Sequence, residues 1–212
     1  IANEPALQHL RSLFPCQPQK GFDRKAANED SSTLLQPMFI RNPETLFAGS
    51  ATWKLDPSSD DWNTAANWNP ETVPNDLADV ATFGSTSTTA LSISAPTHVD
   101  SVVFDSNASA FTVTTGTHHF TFLGAGIVNN SANEQNFVTG LLEGGSINFR
   151  NTASAGDAVF TIYGDVFQAY VSFYENATAG NATFFNYGGF GGAVTWFFGS
   201  STAGNATFHN FT

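Results

Sequence analysis

Three stretches near the C-terminal end of the chain superimpose without a gap at a fixed offset of 24 residues. They are INFRNTASAGDAVFTIY from Ile147, VSFYENATAGNATFFNY from Val171 and TWFFGSSTAGNATFHNF from Thr195. Phe149, Phe173 and Phe197 share one position, and Phe160, Phe184 and Phe208 share another. Tyr163, Tyr187 and Phe211 fill a third. Ala155-Gly156, Ala179-Gly180 and Ala203-Gly204 coincide, followed by Asp157, Asn181 and Asn205 in turn. A unit of this length is too short for a four-stranded propeller blade, and it lacks the helical pattern of α-solenoids. It fits one coil of a β-solenoid, with two or three short strands and turns. Coils stack at the spacing of neighbouring strands, about 4.8 Å, so equivalent residues lie above one another. The spacing therefore predicts an all-β fold, a parallel β-helix or solenoid with ~24-residue coils and stacked internal Phe. Gly at the corner permits positive φ, and the Asn or Asp beside it is expected to bond the turn backbone.

The rest of the chain divides by composition. Residues 1–50 hold five bases and five acids, whereas residues 51–212 hold two bases (Lys54 and Arg150) against thirteen acids. Residues 1–50 read as an extended arm. Asn3 and Pro5 start a short helix there, with Leu7, Leu10 and Phe14 on one face. Leu34 to Ile40, interrupted by Pro37, reads as an edge strand or strap lying on its own domain or on a neighbouring subunit. Residues 51–85 read as a Trp-rich cap, 86–145 as irregular coils and 146–212 as regular repeats. Leu91 and Ile93, then Val103 and Phe104, Phe111 and Val113, and Phe120 and Phe122 mark successive short strands. Gly116, Gly124, Gly126 and Gly140 punctuate them.

The segment from Thr52-Trp53 through Asp61-Trp62-Asn63, Ala66-Asn67-Trp68, Val73-Pro74, Asp76 and Asp79 to Phe83 carries a second pattern. With FDSNASAFTV (104–113), GAGIVNNSA (124–132) and the AGNATF corners, it resembles bacterial surface proteins with autotransporter-associated β-strand repeats. The resemblance covers roughly residues 51–212. It implies a right-handed parallel β-helix on a secreted, passenger-like protein.

Charge and composition narrow the function classes. Seven Lys and Arg against eighteen Asp and Glu, net −11, cannot supply the basic face a nucleic-acid binder needs. No run approaches the ~20 apolar residues of a membrane helix, and 21 Phe is too apolar for a disordered acidic chain. The single Cys16 excludes an intrachain disulfide. No cofactor is expected. His118 and His119 are neighbours on a strand and point to opposite faces, and His9, His98 and His209 are scattered. Asp56, Asp60, Asp61, Asn63, Asp76 and Asp79 offer oxygens of the kind calcium takes, but their spacing matches no known loop and reads as a solvated acidic surface. Asp157 and Asp165 are the one close carboxylate pair in the repeats, and Asp157 occupies a turn position, which weighs against glycosidase chemistry.

Trp53, Trp62 and Trp68 read as cap residues, with a glycan-stacking platform as the alternative. Asn107 and Asn176 are the sequons most suited to N-glycosylation. The leading expectation is a non-catalytic extracellular structural or surface protein. Head-to-tail self-association into a filament fits a repeat that stops inside the solenoid pattern. A carbohydrate-binding or adhesive module is the alternative, and a polysaccharide-degrading β-helix the third.

Overall fold

The computed structural model describes residues 49–140 and 144–212. The expected arm and helix, the Pro37-interrupted run and Cys16 lie outside the described residues. What is described is a parallel β-solenoid with almost no helix.

Among the described residues, fourteen strands form two sheets. β1 (Ala51–Trp53), β2 (Trp68–Asn69), β3 (Val80–Phe83), β5 (Thr97–Phe104), β7 (His119–Asn129), β9 (Gly145–Phe149), β11 (Ala169–Phe173) and β13 (Ala193–Phe197) make the first. β4 (Ala90–Ser92), β6 (Thr112–Thr114), β8 (Asn136–Thr139), β10 (Val159–Gly164), β12 (Thr183–Gly188) and β14 (Thr207–Phe211) make the second. From β3 onward the chain alternates between sheets, and each strand pairs in parallel with the strand one coil away. Among the described residues only β1 and β2 pair antiparallel, at one edge of the first sheet.

The repeat sets the register of the last coils. Phe149 pairs with Phe173 and Phe173 with Phe197 on the first sheet, and Phe160 with Phe184 and Phe184 with Phe208 on the second. Alternation sends these rings inward. Their centroids are 4.8 and 5.0 Å apart in one ladder and 4.9 and 4.9 Å in the other, nearly parallel. Across the core the ladders meet edge to face, at 5.9 Å for Phe149 with Phe160 and 6.1 Å for Phe173 with Phe184. Strand spacing imposes the stack within each ladder, and the ring quadrupole favours the perpendicular contact between them. Phe122 and Phe137 extend the ladders toward the N-terminal end.

The corners carry a third line of contact through Gly126, Ser154, Thr178 and Thr202. Gly156, Gly180 and Gly204 adopt φ of 65°, 61° and 58°. A Cβ on Gly180 would stand 2.6 Å from the Gly156 carbonyl oxygen of the coil below. The expected role of the neighbouring Asn is corrected here. Ser154 Oγ and Thr178 Oγ1, not the Asn side chains, accept the Gly156 and Gly180 N–H groups, at 3.0 and 3.1 Å. Asn205 Nδ2 instead donates to Asn181 Oδ1 at 3.2 Å, bonding coil to coil.

The earlier coils are less regular. Val99 pairs with Phe122 but Ser101 with Gly126, so β7 bulges opposite Asp100. Gly124 and Gly126 therefore lie inside a strand and do not end one. A Cβ on Gly124 would collide with the Asp100 carboxylate. Val103 faces outward, and Val102 takes the core position beside Phe104.

Candidate functional site

The N-terminal segment packs three indoles into one cluster. Trp53 meets Trp68 edge to face at 5.0 Å, and Trp62 meets Trp68 at 4.9 Å. Phe83 lies within 6.0 Å of all three ring centroids. Trp62 and Trp68 are 0 % exposed and Trp53 3 %. Trp62 Nε1 donates to the Pro74 carbonyl at 3.1 Å, and Trp68 Nε1 to the Trp62 carbonyl at 2.7 Å. No ring face is left for a sugar, which corrects the glycan-platform alternative for these residues. The physical reason is that β1 and β2 end the first sheet here, and the indoles cover the Phe83 end of the core.

The polar residues of the same motif fix turns. Asn67 is fully buried. Its Oδ1 accepts from Ser58 N, Ser58 Oγ and Ser59 N at 2.9, 2.8 and 3.1 Å, and its Nδ2 donates to Ser59 Oγ and the Asp61 carbonyl at 2.9 and 2.7 Å. Asn63 Oδ1 accepts the Ser94 and Ala95 N–H groups at 2.9 and 3.0 Å. Asp61 accepts from Asn63 N and Thr64 Oγ1, and Asp79 from Asn75 N. Asp76 accepts from Leu77 N as well, so four of the six oxygen-bearing residues considered for calcium are spent on the backbone. Among the described residues no three His, Cys, Asp or Glu gather as a metal site. Lys54 Nζ sits 2.7 Å from Glu71 Oε1, and its hydrogen bond and charge hold that exposed carboxyl below the usual range.

Asp157 and Asp165 lie at opposite ends of β10 and are both exposed. Six extended residues separate them by roughly 20 Å, so they share no groove. Asn107 and Asn176 are exposed on turns. His118 precedes β7 and His119 opens it. The His119 ring nitrogen Nδ1 is 2.6 Å from Ser146 Oγ on the next coil.

A concave site appears instead on the outer face of the first sheet. Register places His98, Thr121, Asn148 and Ser172 in one column across β5, β7, β9 and β11. Most of these side chains are short. Longer ones stand on either side: His119 and Tyr170 along one wall, Leu123, Arg150 and Tyr174 along the other. With Leu77, all of these except the buried Ser172 line a groove of about 520 Å³. Arg150 lies over the Tyr174 ring, 4.3 Å from its centroid, and its Nη1 is 3.5 Å from Glu175 Oε1. Ser146 Oγ accepts from Asn148 Nδ2 at 3.1 Å, joining His119, Ser146 and Asn148 in one hydrogen-bonded row. Tyr170 stacks on Trp196 at 5.2 Å and Tyr174 on Phe198 at 5.0 Å. Ser172 Oγ, in the column between Tyr170 and Tyr174, is buried with no hydrogen-bond partner among the described residues.

No family model, curated protein or solved structure matches this chain. The groove was missed in the sequence because its residues come from four strands and form no local motif. Only Arg150, as the sole base beyond residue 54, and the two histidines stood out there. The usable signal was the 24-residue offset itself, which aligns Tyr170 and Tyr174 with Val194 and Phe198 and with Ser146 and Arg150.

Proposed function

We propose that this chain is a non-catalytic structural module of a secreted, surface-exposed protein, and that its solenoid self-associates head to tail. Three things support the reading. The first is the likeness of residues 51–212 to autotransporter-associated repeat proteins, carried by the Trp-rich segment and the AGNATF corners. The second is an acidic surface nearly free of lysine, with one Lys between residues 51 and 212.

The third carries the proposal: Phe197 and Phe208 continue both ladders in register and offer an apolar surface on which another coil of the same pattern can stack. Phe197 and Phe208 are only half-buried, and with Asn186, Ala193, Val194, Thr195 and Asn210 they line a hollow of about 340 Å³. A further coil with Phe in register would continue both ladders there. The inward positions also turn polar toward this end, from Ile162 to Asn186 and Asn210. Asn186 Nδ2 donates to Asn210 Oδ1 at 2.8 Å. This amide row, buried at Asn186 and exposed at Asn210, favours a partner with a matching amide over a purely apolar one.

Negative-stain electron microscopy of the native material tests this. Regular end-to-end filaments, lost on Phe208→Lys, are the expected result. A monodisperse monomer at high protein concentration would overturn the self-association.

A further inference from the structure

We infer that Asn107 is an N-glycosylation site, modified by an oligosaccharyltransferase that reads the Asp105 carboxylate two residues before it. The chain carries six Asn-x-Ser/Thr sequons, at Asn107, Asn129, Asn176, Asn181, Asn205 and Asn210. Hydrogen bonding divides them. Asn129 Oδ1 accepts from Ser131 N and from Ser131 Oγ, the hydroxyl of its own sequon, and its Nδ2 donates to the Asn133 carbonyl. Asn181 and Asn205 bond each other, and Asn210 accepts from Asn186. Only Asn107 and Asn176 present exposed amides with no hydrogen-bond partner among the described residues.

The acceptor hydroxyl and the upstream residue separate these two. Thr178 Oγ1, in the Asn176 sequon, is held in the corner line by the Gly180 N–H and by Thr202 Oγ1. Ser109 Oγ, in the Asn107 sequon, accepts one bond, from Thr86 N at 3.3 Å. Two residues before Asn176 stands Tyr174, covered by Arg150. Two residues before Asn107 stands Asp105, exposed and in no ion pair among the described residues. None of the other five sequons has an acid at that position. A free carboxylate there offers an arginine of the transferase a two-pronged, charge-assisted contact.

The backbone presents the site. Asn107 is the third residue of a turn closed by the Ala108 N–H on the Asp105 carbonyl at 2.8 Å, in the loop between β5 and β6. Ala108 is buried and anchors that turn, while Asp105, Ser106 and Asn107 face solvent. The Asn107 amide lies over Gly84, where even an added Cβ would stand 3.5 Å from Oδ1. The donor is a glycan on a polyprenyl diphosphate. Asn107 Nδ2 forms a bond to C1 of the first sugar as the C1–O bond to the diphosphate breaks. The diphosphate leaves with the electron pair, and the amide proton passes to a base of the transferase.

The test is glycopeptide mapping by mass spectrometry of the native full chain and of variants expressed in the same cells. The expected result is a glycan on Asn107, at higher occupancy than on any other sequon. Asp105→Asn keeps the shape and removes the charge, and it should lower occupancy at least about tenfold. Asp105→Glu and Ser106→Ala should leave it within about twofold, and Ser109→Ala should abolish it. A bare Asn107 in the native chain, equal occupancy at Asn176, or unchanged occupancy in Asp105→Asn would each overturn the assignment.

Discussion

Asn67 and the corner glycines show what single residues do in this chain. The Asn67 amide closes five hydrogen bonds inside the cap with no water-exposed surface. Removing it orphans two backbone N–H groups and a carbonyl at once. Asn67→Ala should cost about 3 kcal/mol, since each unsatisfied buried group costs roughly 1–3 kcal/mol. Urea unfolding of the full chain measures it, and a loss under about 1 kcal/mol would mean the cap rests on the indoles alone. Gly116 and Gly180 separate two costs that usually come together. Both have positive φ, 56° and 61°, but a Cβ meets nothing within 4 Å at Gly116 and a backbone oxygen at 2.6 Å at Gly180. Gly116→Ala should therefore lose about 1 kcal/mol from backbone strain. Gly180→Ala should lose at least about 1 kcal/mol more, because the coil below must move. Equal losses in the same unfolding experiment would refute the close stacking at the corner.

At the scale of elements, the ladders distribute stability unevenly along the solenoid. Phe173 is sandwiched by rings at 4.8 and 5.0 Å, whereas Phe208 has a ring on one side only. Phe173→Ala should cost about 3–5 kcal/mol, and Phe208→Ala about half of that or less. A larger loss at Phe208 would place the hydrophobic centre elsewhere. The same elements show what the sequence made legible. From β9 to β14 the strands and their pairing follow from one offset, because identical residues demand identical registers. From β3 to β8 the advance per coil changes: Val80 pairs with Ser101, but Phe122 with Phe149. Without a constant period, Gly124 and Gly126 looked like strand ends. They are small residues admitted into β7 where the Asp100 carboxylate and Ser154 backbone come close.

Across the solenoid, tryptophans separate into a buried cluster at Trp53, Trp62 and Trp68 and a half-exposed Trp196. Three of the four tryptophans lie in the cap, while Trp196 stands half-exposed on the outer face beside the groove. Trp196→Phe should leave a blue-shifted emission that acrylamide barely quenches, and the unmodified chain should show an additional quenchable component. Ready quenching in the variant would contradict the buried cap. The groove escaped the sequence for a reason that belongs to this scale. Local patterns report which residues face in, as the Phe positions did, but outward neighbours are set by coil stacking. His98 and Tyr174 are far apart in the chain, and only the accumulated register brings them to one site.

In-register coil stacking underlies all of these statements, and a pair of engineered cysteines tests it most directly. In a Cys16→Ser background, Asn181→Cys and Asn205→Cys replace exposed side chains now joined by a 3.2 Å hydrogen bond. Their Cα atoms stand one strand spacing apart, ~4.8 Å, inside the window a disulfide accepts. Asn181→Cys with Asn210→Cys shifts the partner five residues along the coil, roughly 15 Å away. After mild oxidation and peptide mapping, the first pair should close nearly completely within one chain and the second should stay reduced. A reduced first pair, or a closed second one, would show that the coils do not stack in this register.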